Sequence, residues 1–178
     1  PGESFTAPEV ILSYTGKGLG ELSRQYHRIL RHNVCRGMYK EVRRPILINN
    51  WEATYFDFNG NKIYEIAKQA AELGVEMLVL DDGWFGKRDS DDSGLGDWQV
   101  NEKKLGGTLG DLSERIHSLG MKFGLWIEPE MVSEDSDLYR AHPDWALAVP
   151  GKKPVRSRYQ LVLDFSRKEV VDYIYGPV

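Results

Sequence analysis

Disulfides are the first thing this chain cannot use, because its 178 residues contain a single cysteine, Cys35. One thiol excludes an internal cross-link and suits a reducing compartment, so a cytoplasmic location is expected. Cys35 has no basic partner pair to mark it as a nucleophile, and it reads as a structural thiol. Long apolar runs are also missing. No segment approaches the roughly 20 apolar residues of a transmembrane helix, and no membrane partner is expected. The opening Pro1-Gly2-Glu3-Ser4 lacks a basic region followed by an apolar core, so no signal peptide is visible, although a fragment can have lost one. Excess positive charge is absent too. The net charge is −4, with no basic stripe interleaved with aromatics, which argues against nucleic acid as a partner. What remains, at 41% hydrophobic and 28% charged, is the composition of a globular protein.

The most informative stretch is Leu78-Val79-Leu80-Asp81-Asp82-Gly83-Trp84-Phe85. A short apolar run bounded by turn signals predicts a buried strand of a parallel sheet. Polar residues at the C-terminal end of such a strand sit where α/β folds place their chemistry. Carboxylates beside an indole suit a sugar, since acids accept hydrogen bonds from hydroxyls and the indole covers the apolar face of a pyranose. Asp-Asp-Gly is also ordinary turn chemistry, so this stretch alone leaves function open. Two further runs repeat the pattern. Pro45-Ile46-Leu47-Ile48 ends in Asn49-Asn50-Trp51-Glu52, and the run from Lys122 carries Trp126 inside the strand, with Glu128 and Glu130 after it. Unpaired buried carboxylates are costly, so three strands delivering acids and indoles at one end predict three walls of one pocket.

Helical patterns separate these strands. Ile63, Ile66, Ala67, Ala70 and Leu73 share one face, with Gly74 placed to cap it; Leu109, Leu112, Ile116 and Leu119 share another, followed by Gly120. Strand–helix–strand order predicts right-handed crossovers and a parallel sheet. Leu161-Val162-Leu163-Asp164 is compatible with a further short strand, and Ser166-Arg167-Lys168-Glu169 with a capping box opening a helix to about Tyr175. The expected fold class is therefore α/β. Residues 45–178 read as the first three to four β/α units of a TIM-type (β/α)8 barrel, which in full needs about 250 residues. A doubly wound sheet competes, but its phosphate-binding glycine fingerprint follows none of the strands. The chain stops after a helix, where the next strand should begin, and a piece of a larger protein is expected.

Residues 1–44 read differently. Phe5 to Tyr14 mixes aromatic and β-branched residues and is compatible with a strand, the tail of a preceding β domain. Leu19, Leu22, Tyr26, Ile29 and Leu30 then take helical spacing. His27 and His32 stand five apart, off a common face, so a solvated surface is expected there and no metal site. In the loop after the second strand, Asp89, Asp91, Ser93 and Gly94 imitate the start of a calcium loop. The twelfth position needs a bidentate Glu and holds Val100, so a polar loop presenting Asp97 and Trp98 to the pocket is preferred.

At this point the segments "RPILINNWEATYFDF", "LGVEMLVLDDGWFGKRDSDDSGLGDW", "KFGLWIEPEMVS", "HPDWAL" and "RYQLVLDFSRKEV" carry a family likeness. In order and spacing, from about Phe5 through Val171, the chain resembles the α-galactosidases of glycoside hydrolase family 36. The resemblance implies an N-terminal β-sandwich, a linking helix, a (β/α)8 barrel and a C-terminal β domain. Residues 1–44 would be the sandwich exit and linking helix, and residues 45–178 the opening of the barrel. It also implies a homo-oligomeric parent that cleaves terminal α-galactosyl bonds of melibiose- or raffinose-type oligosaccharides, with no metal or organic cofactor.

By the same resemblance Trp51, Asp81, Asp82, Trp126 and Arg158 match residues that grip the terminal galactose. Asp97 and Trp98 match subsite contacts or a loop touching a neighbouring subunit. Glu128 and Glu130 read as polar wall or as support behind the residues that touch the sugar, and His142-Pro143-Asp144-Trp145 as structural. Family members are retaining enzymes with two carboxylates about 5–5.5 Å apart. The nucleophile of the Lys-Trp-Asp motif and the later acid/base aspartate have no counterpart here, so both are expected beyond Val178 and no residue of this chain is assigned as catalytic. A non-catalytic carbohydrate-binding or assembly fragment stays open as an alternative, as does an α-N-acetylgalactosaminidase or galactosyl-transfer specificity.

Overall fold

The computed structural model describes residues 2–176. Pro177 and Val178, where a further strand was expected to begin, lie outside them. The chain divides between Arg44 and Pro45 into two compact units.

In the first unit, helix α1 (Leu19–Ile29) runs into a π-helical turn (Leu30–Val34). Glu21 accepts from Arg28 at 2.7 Å and Arg24 at 3.0 Å, and these bonds hold its carboxyl below the usual glutamate range. No residue of α1 is buried. The strand expected over Phe5 to Tyr14 does not form; the segment is irregular, with Phe5, Val10, Leu12 and Tyr14 exposed. β-propensity alone makes no strand, because a ladder needs a partner, and this unit contains none among its described residues. The segment is tied to α1 instead, by Tyr26 Oη donating to the Ile11 carbonyl at 3.0 Å and Ser13 Oγ to Gln25 Oε1 at 2.8 Å.

The second unit is built on a parallel sheet of β1 (Leu47–Asn49), β2 (Met77–Leu80) and β3 (Lys122–Leu125), in that spatial order. Its register puts Leu47 opposite Met77 and Leu80 opposite Leu125, so the three C-terminal ends lie side by side. A one-turn helix α2 (Trp51–Thr54) leaves β1, and α3 (Gly60–Glu72) crosses to β2. Ile63, Ala67 and Ala70 are the buried stripe of α3, as their spacing predicts, while Leu73 lies at the C-cap and is exposed. Gly74 takes φ +83°, the left-handed conformation that ends a helix at little cost to glycine.

Between β2 and β3, α4 (Glu102–Leu105) precedes α5 (Leu109–His117). Thr108 and Asp111 form a reciprocal capping box, and α5 buries Leu112 and Ile116. Gly60 lets α3 pass against the Leu105 carbonyl, which an added Cβ would overlap. Leu78 and Leu80 of β2 are fully buried at the centre of the core, each contributing about 1.5–3 kcal/mol of transfer free energy.

Two expectations are corrected beyond β3. The run at Leu161 does form a strand, β5 (Gln160–Val162), but it pairs antiparallel with β4 (Met131–Ser133) in a separate two-stranded sheet. Apolar run length carries no information about strand direction, and the segment leaving β3 offers the nearer partner. The described residues thus contain three parallel strands. Helix α6 (Asp137–Ala141) follows β4, and α7 (Lys168–Tyr175) follows β5, burying Val170 and Ile174. The capping box at Ser166 is absent, because Ser166 N and Oγ both donate to Asp164 Oδ1 while Glu169 takes Arg167 Nε at 2.8 Å.

Candidate functional site

Of the sequence-predicted residues, the aligned strand ends carry Trp51, Asp81, Asp82 and Trp126, and side-chain amides hold the first of these ends. Asn49, last in β1, accepts the Trp51 N–H at 2.7 Å and donates from Nδ2 to Asp81 Oδ2. Asn50 is fully buried; its Oδ1 accepts the Asp81 N–H at 2.8 Å, and its Nδ2 donates to Thr54 Oγ1 at 2.8 Å. Asp81 Oδ1 accepts the Asp82 N–H at 2.7 Å. A half-buried carboxylate is thereby fixed from two strands at once. The Trp51 ring meets Tyr55 and Phe56 edge-on, at 5.2 and 5.1 Å between centroids.

Asp82 lives differently from its neighbour, as alternation along an extended segment requires. It is buried, and Arg88, 1% exposed, grips it from Nε at 3.0 and 3.1 Å and from Nη2 at 2.7 Å. Arg88 Nη1 donates to the Ser93 carbonyl at 2.9 Å, and its guanidinium lies 5.5 Å from the Phe56 ring centroid. The acids that imitate a calcium loop each face another group: Asp89 pairs with Lys104 at 2.8 Å, and Asp91 lies 3.9 Å from Arg88 and 3.8 Å from Arg158.

The third wall carries Trp126. It falls one residue past β3 instead of inside it, although its N–H still donates to the Leu80 carbonyl at 2.9 Å. Trp84 Nε1 donates to the Trp126 carbonyl at 2.9 Å. The expectation that Asp97 and Trp98 are presented to the pocket is corrected. Asp97 is buried, and its two oxygens accept the N–H groups of Asp137 and Leu138 at 2.9 and 3.0 Å. With Ser136 Oγ accepting the Tyr139 N–H, it satisfies the first turn of α6, where orphan donors otherwise face no acceptor. Trp98 is 3% exposed and packs on Phe85 at 4.3 Å, within reach of Trp84 and Trp126; its indole N–H has no partner among the described residues.

Glu128 lies at the same end. Burial raises its pKa, and Glu130 raises it further; Arg158 and Arg88 act in the opposite sense. Gln160 Nε2 reaches Glu128 Oε2 at 3.4 Å. Arg158 itself is exposed, on a two-residue turn closed by Ser157 N–H to Gln160 O at 3.0 Å and Gln160 N–H to Ser157 O at 2.9 Å. Both central residues have positive φ, +50° for Arg158 and +66° for Tyr159. That is the pattern of a type I′ turn, which normally takes Asn and Gly. His142 stacks on Trp145 at 3.9 Å, and Asp144 binds Arg167 at 2.9 Å, a local packing arrangement.

Sequence reasoning passed over Asn49, Asn50 and Arg88 as holders of these acids. A signal for Arg88 was present, since an acid at the end of a buried strand requires a compensating donor, and Arg88 follows six residues on. Among the described residues, no group of three or more His, Cys, Asp and Glu is arranged to hold a metal ion, and no helix is long and apolar enough to cross a membrane.

Comparison with known proteins bears directly on this constellation. The Melibiase family model matches residues 4–178. The bifunctional α-galactosidase/sucrose kinase AgaSK of Mediterraneibacter gnavus is 64% identical over 99% of this chain, which spans 19% of that protein. The α-galactosidase AgaA of Geobacillus stearothermophilus is 57% identical over 98% of the chain, which spans 24% of it. The chain thus spans about a fifth to a quarter of the length of these curated relatives. The crystal structure of AgaA superposes with a TM-score of 0.86 over 92% of this chain and 23% of AgaA, at 56% identity. Variants of AgaA have been solved with stachyose and with raffinose bound. An α/β unit with a parallel sheet, a family match over nearly all its length and identities above one half lead to one conclusion: the chain belongs to the Melibiase family, the α-galactosidases of glycoside hydrolase family 36.

Proposed function

We propose that this chain is the galactose-gripping part of a retaining α-galactosidase acting on terminal α-galactosyl residues of melibiose- and raffinose-type oligosaccharides. The observation that carries the reading is the placement of Trp51, Asp81, Asp82 and Trp126 within two residues of the C-terminal ends of three adjacent parallel strands. Fixed carboxylates accept hydrogen bonds from ring hydroxyls, and a site built around a hydroxyl strongly rejects a sugar that cannot supply it in that position. Indoles at Trp51 and Trp126 offer apolar faces for the pyranose, and Arg158 offers a charged donor fork. In this reading residues 45–178 open a (β/α)8 barrel, residues 1–44 are a sandwich exit and linking helix, and Asp97 and Trp98 support the wall from behind. The nucleophile and acid/base lie beyond Val178. The intact enzyme is a cytoplasmic homo-oligomer that needs no metal.

The test is turnover of p-nitrophenyl α-galactoside by the intact enzyme and by the 178-residue chain alone, each freed of host enzyme. The expected result is galactoside-selective hydrolysis by the former and none by the latter. Equal turnover of the matching α-glucoside would refute the specificity claim, and turnover by the isolated chain would refute the claim that its catalytic carboxylates lie elsewhere.

A further inference from the structure

A line of alternating charge, Asp82–Arg88–Asp91–Arg158, joins the end of β2 to the turn before β5 through contacts of 2.7, 3.9 and 3.8 Å. We infer that Arg88 and Asp91 are positioning residues: Arg88 aims the Asp82 carboxylate, and Asp91 restrains the Arg158 guanidinium, so that two walls of the site meet the sugar already set. The inference rests on the galactoside reading above.

Stability is a poor explanation for this arrangement. A buried ion pair contributes little net stability compared with apolar residues of the same volume, yet it is costly to break. Its particular product is orientation. The planar fork of Arg88 takes both Asp82 oxygens, which a point charge would not do. Arg88 is itself locked. Its Nη1 is spent on the Ser93 carbonyl and Phe56 flanks the guanidinium. Gly94 presses on the Arg88 backbone so closely that an added Cβ would lie 3.0 Å from Arg88 N, Cα and Cβ. A carboxylate held this way loses little conformational freedom when substrate arrives. Arg158 needs help of another kind, because its side chain is 71% exposed and long, and Asp91 is the acid within ion-pair reach of it.

The experiment measures kcat and KM on p-nitrophenyl α-galactoside in the intact enzyme, with Tm followed in parallel. Arg88→Lys keeps the charge and loses the fork; it should lower kcat/KM by about tenfold with most of the loss in kcat. The Arg88→Lys, Asp82→Asn double variant should be no worse than Asp82→Asn alone, the signature of residues acting through one another. Asp91→Asn, at a half-exposed side chain that threatens no core, should raise KM by about twofold to threefold, and this effect should vanish in an Arg158→Gln background, where the charge is gone. Arg88→Met removes the charge; if it fails to fold, the Arg88→Lys and Asp91→Asn cycles still decide. Wild-type kcat/KM in Arg88→Lys, or losses that multiply in the double variants, would overturn the inference while leaving the galactosidase reading intact. A wild type inert toward the galactoside would overturn that reading, and the inference with it.

Discussion

In the proposed site the segment that leaves β2 supplies Asp81 and Asp82 and the segment that leads to β5 supplies Arg158, and Asp82 and Arg158 are held by opposite means. Residues 82–85 and 94–98 are buried, and Asp82 sits among them with Arg88 on both oxygens. Residues 147–159 are largely open, with Leu147, Val149, Val155 and Tyr159 all exposed, and Arg158 has one long ion pair. On the first side, orientation comes from packing and a guanidinium fork. On the second, it comes from the Asp91 ion pair and from the backbone, which takes two consecutive positive φ values without a glycine. Such strain persists only where the surroundings enforce it, and it concentrates where a side chain must be aimed. A buried holder resists thermal motion but is intolerant of change. A strained surface turn tolerates substitution but aims less sharply.

The largest test of the contrast is Asp82→Asn in the intact enzyme. The side chain keeps its shape but leaves Arg88 buried beside a neutral amide, and it loses acceptance that strengthens in the transition state. Losses of at least tenfold in kcat/KM, about 1.4 kcal/mol, are expected together with a lower Tm. Unchanged kinetics on an aryl α-galactoside would show that Asp82 does not grip the sugar. On the other side, Arg158→Lys should cost less, about threefold to tenfold, with Tm unmoved because the side chain is 71% exposed and makes one long ion pair. A Tm drop as large as that of Asp82→Asn would erase the distinction between the two segments.

The two sides also differed in how far they were legible. Strand ends were readable because an apolar run stopping at Asn49-Asn50 or Asp81-Asp82 states both the element and the place where polar chemistry begins. The amphipathic stripes of α3 and α5 were readable for the same reason of period. Asp97 was not, because whether an acid faces a pocket or an orphan helix N-terminus depends on where α6 packs, and α6 comes forty residues later. Nor was the direction of β5, since Leu161 is buried either way and only pairing with Met131–Ser133 distinguishes the outcomes. Phe5 to Tyr14 had strand-like composition but no ladder to join. The turn at Arg158 and Tyr159 was illegible for a further reason: it violates local preference, and local preference is what a sequence reading uses.

That violation makes a sharper test at Tyr159. Its φ of +66° costs an L-residue conformational energy that glycine does not incur, and the residue is 65% exposed. Tyr159→Gly should therefore raise stability by up to about 1 kcal/mol, read as a higher Tm, with the unfolded chain's extra freedom subtracting part of the gain. If the strain aims Arg158, the same variant should raise KM. A Tm gain with KM unchanged would mean that the turn stores strain to no effect on the site.

The smallest expected effect lies between the two segments, at Glu128. Its pKa is raised first by burial and then by Glu130. The folded state therefore favours the protonated carboxyl, so the stability this group contributes is present below its unfolded pKa and lost as pH rises through the raised folded value. Glu128→Gln imitates the protonated form at every pH. The variant should match wild type below about pH 4.3 and gain on it as pH rises through the raised folded value towards neutrality. The group is partly exposed, so solvent screening keeps the gain below about 1 kcal/mol. Tm of both proteins across pH 4 to 8, measured on the intact enzyme, decides the matter. A variant that loses stability relative to wild type at neutral pH would show that ionised Glu128 is held by Arg158 and Arg88 more strongly than burial and Glu130 oppose it, and that the charge line from β2 to the exposed turn extends through this carboxylate as well.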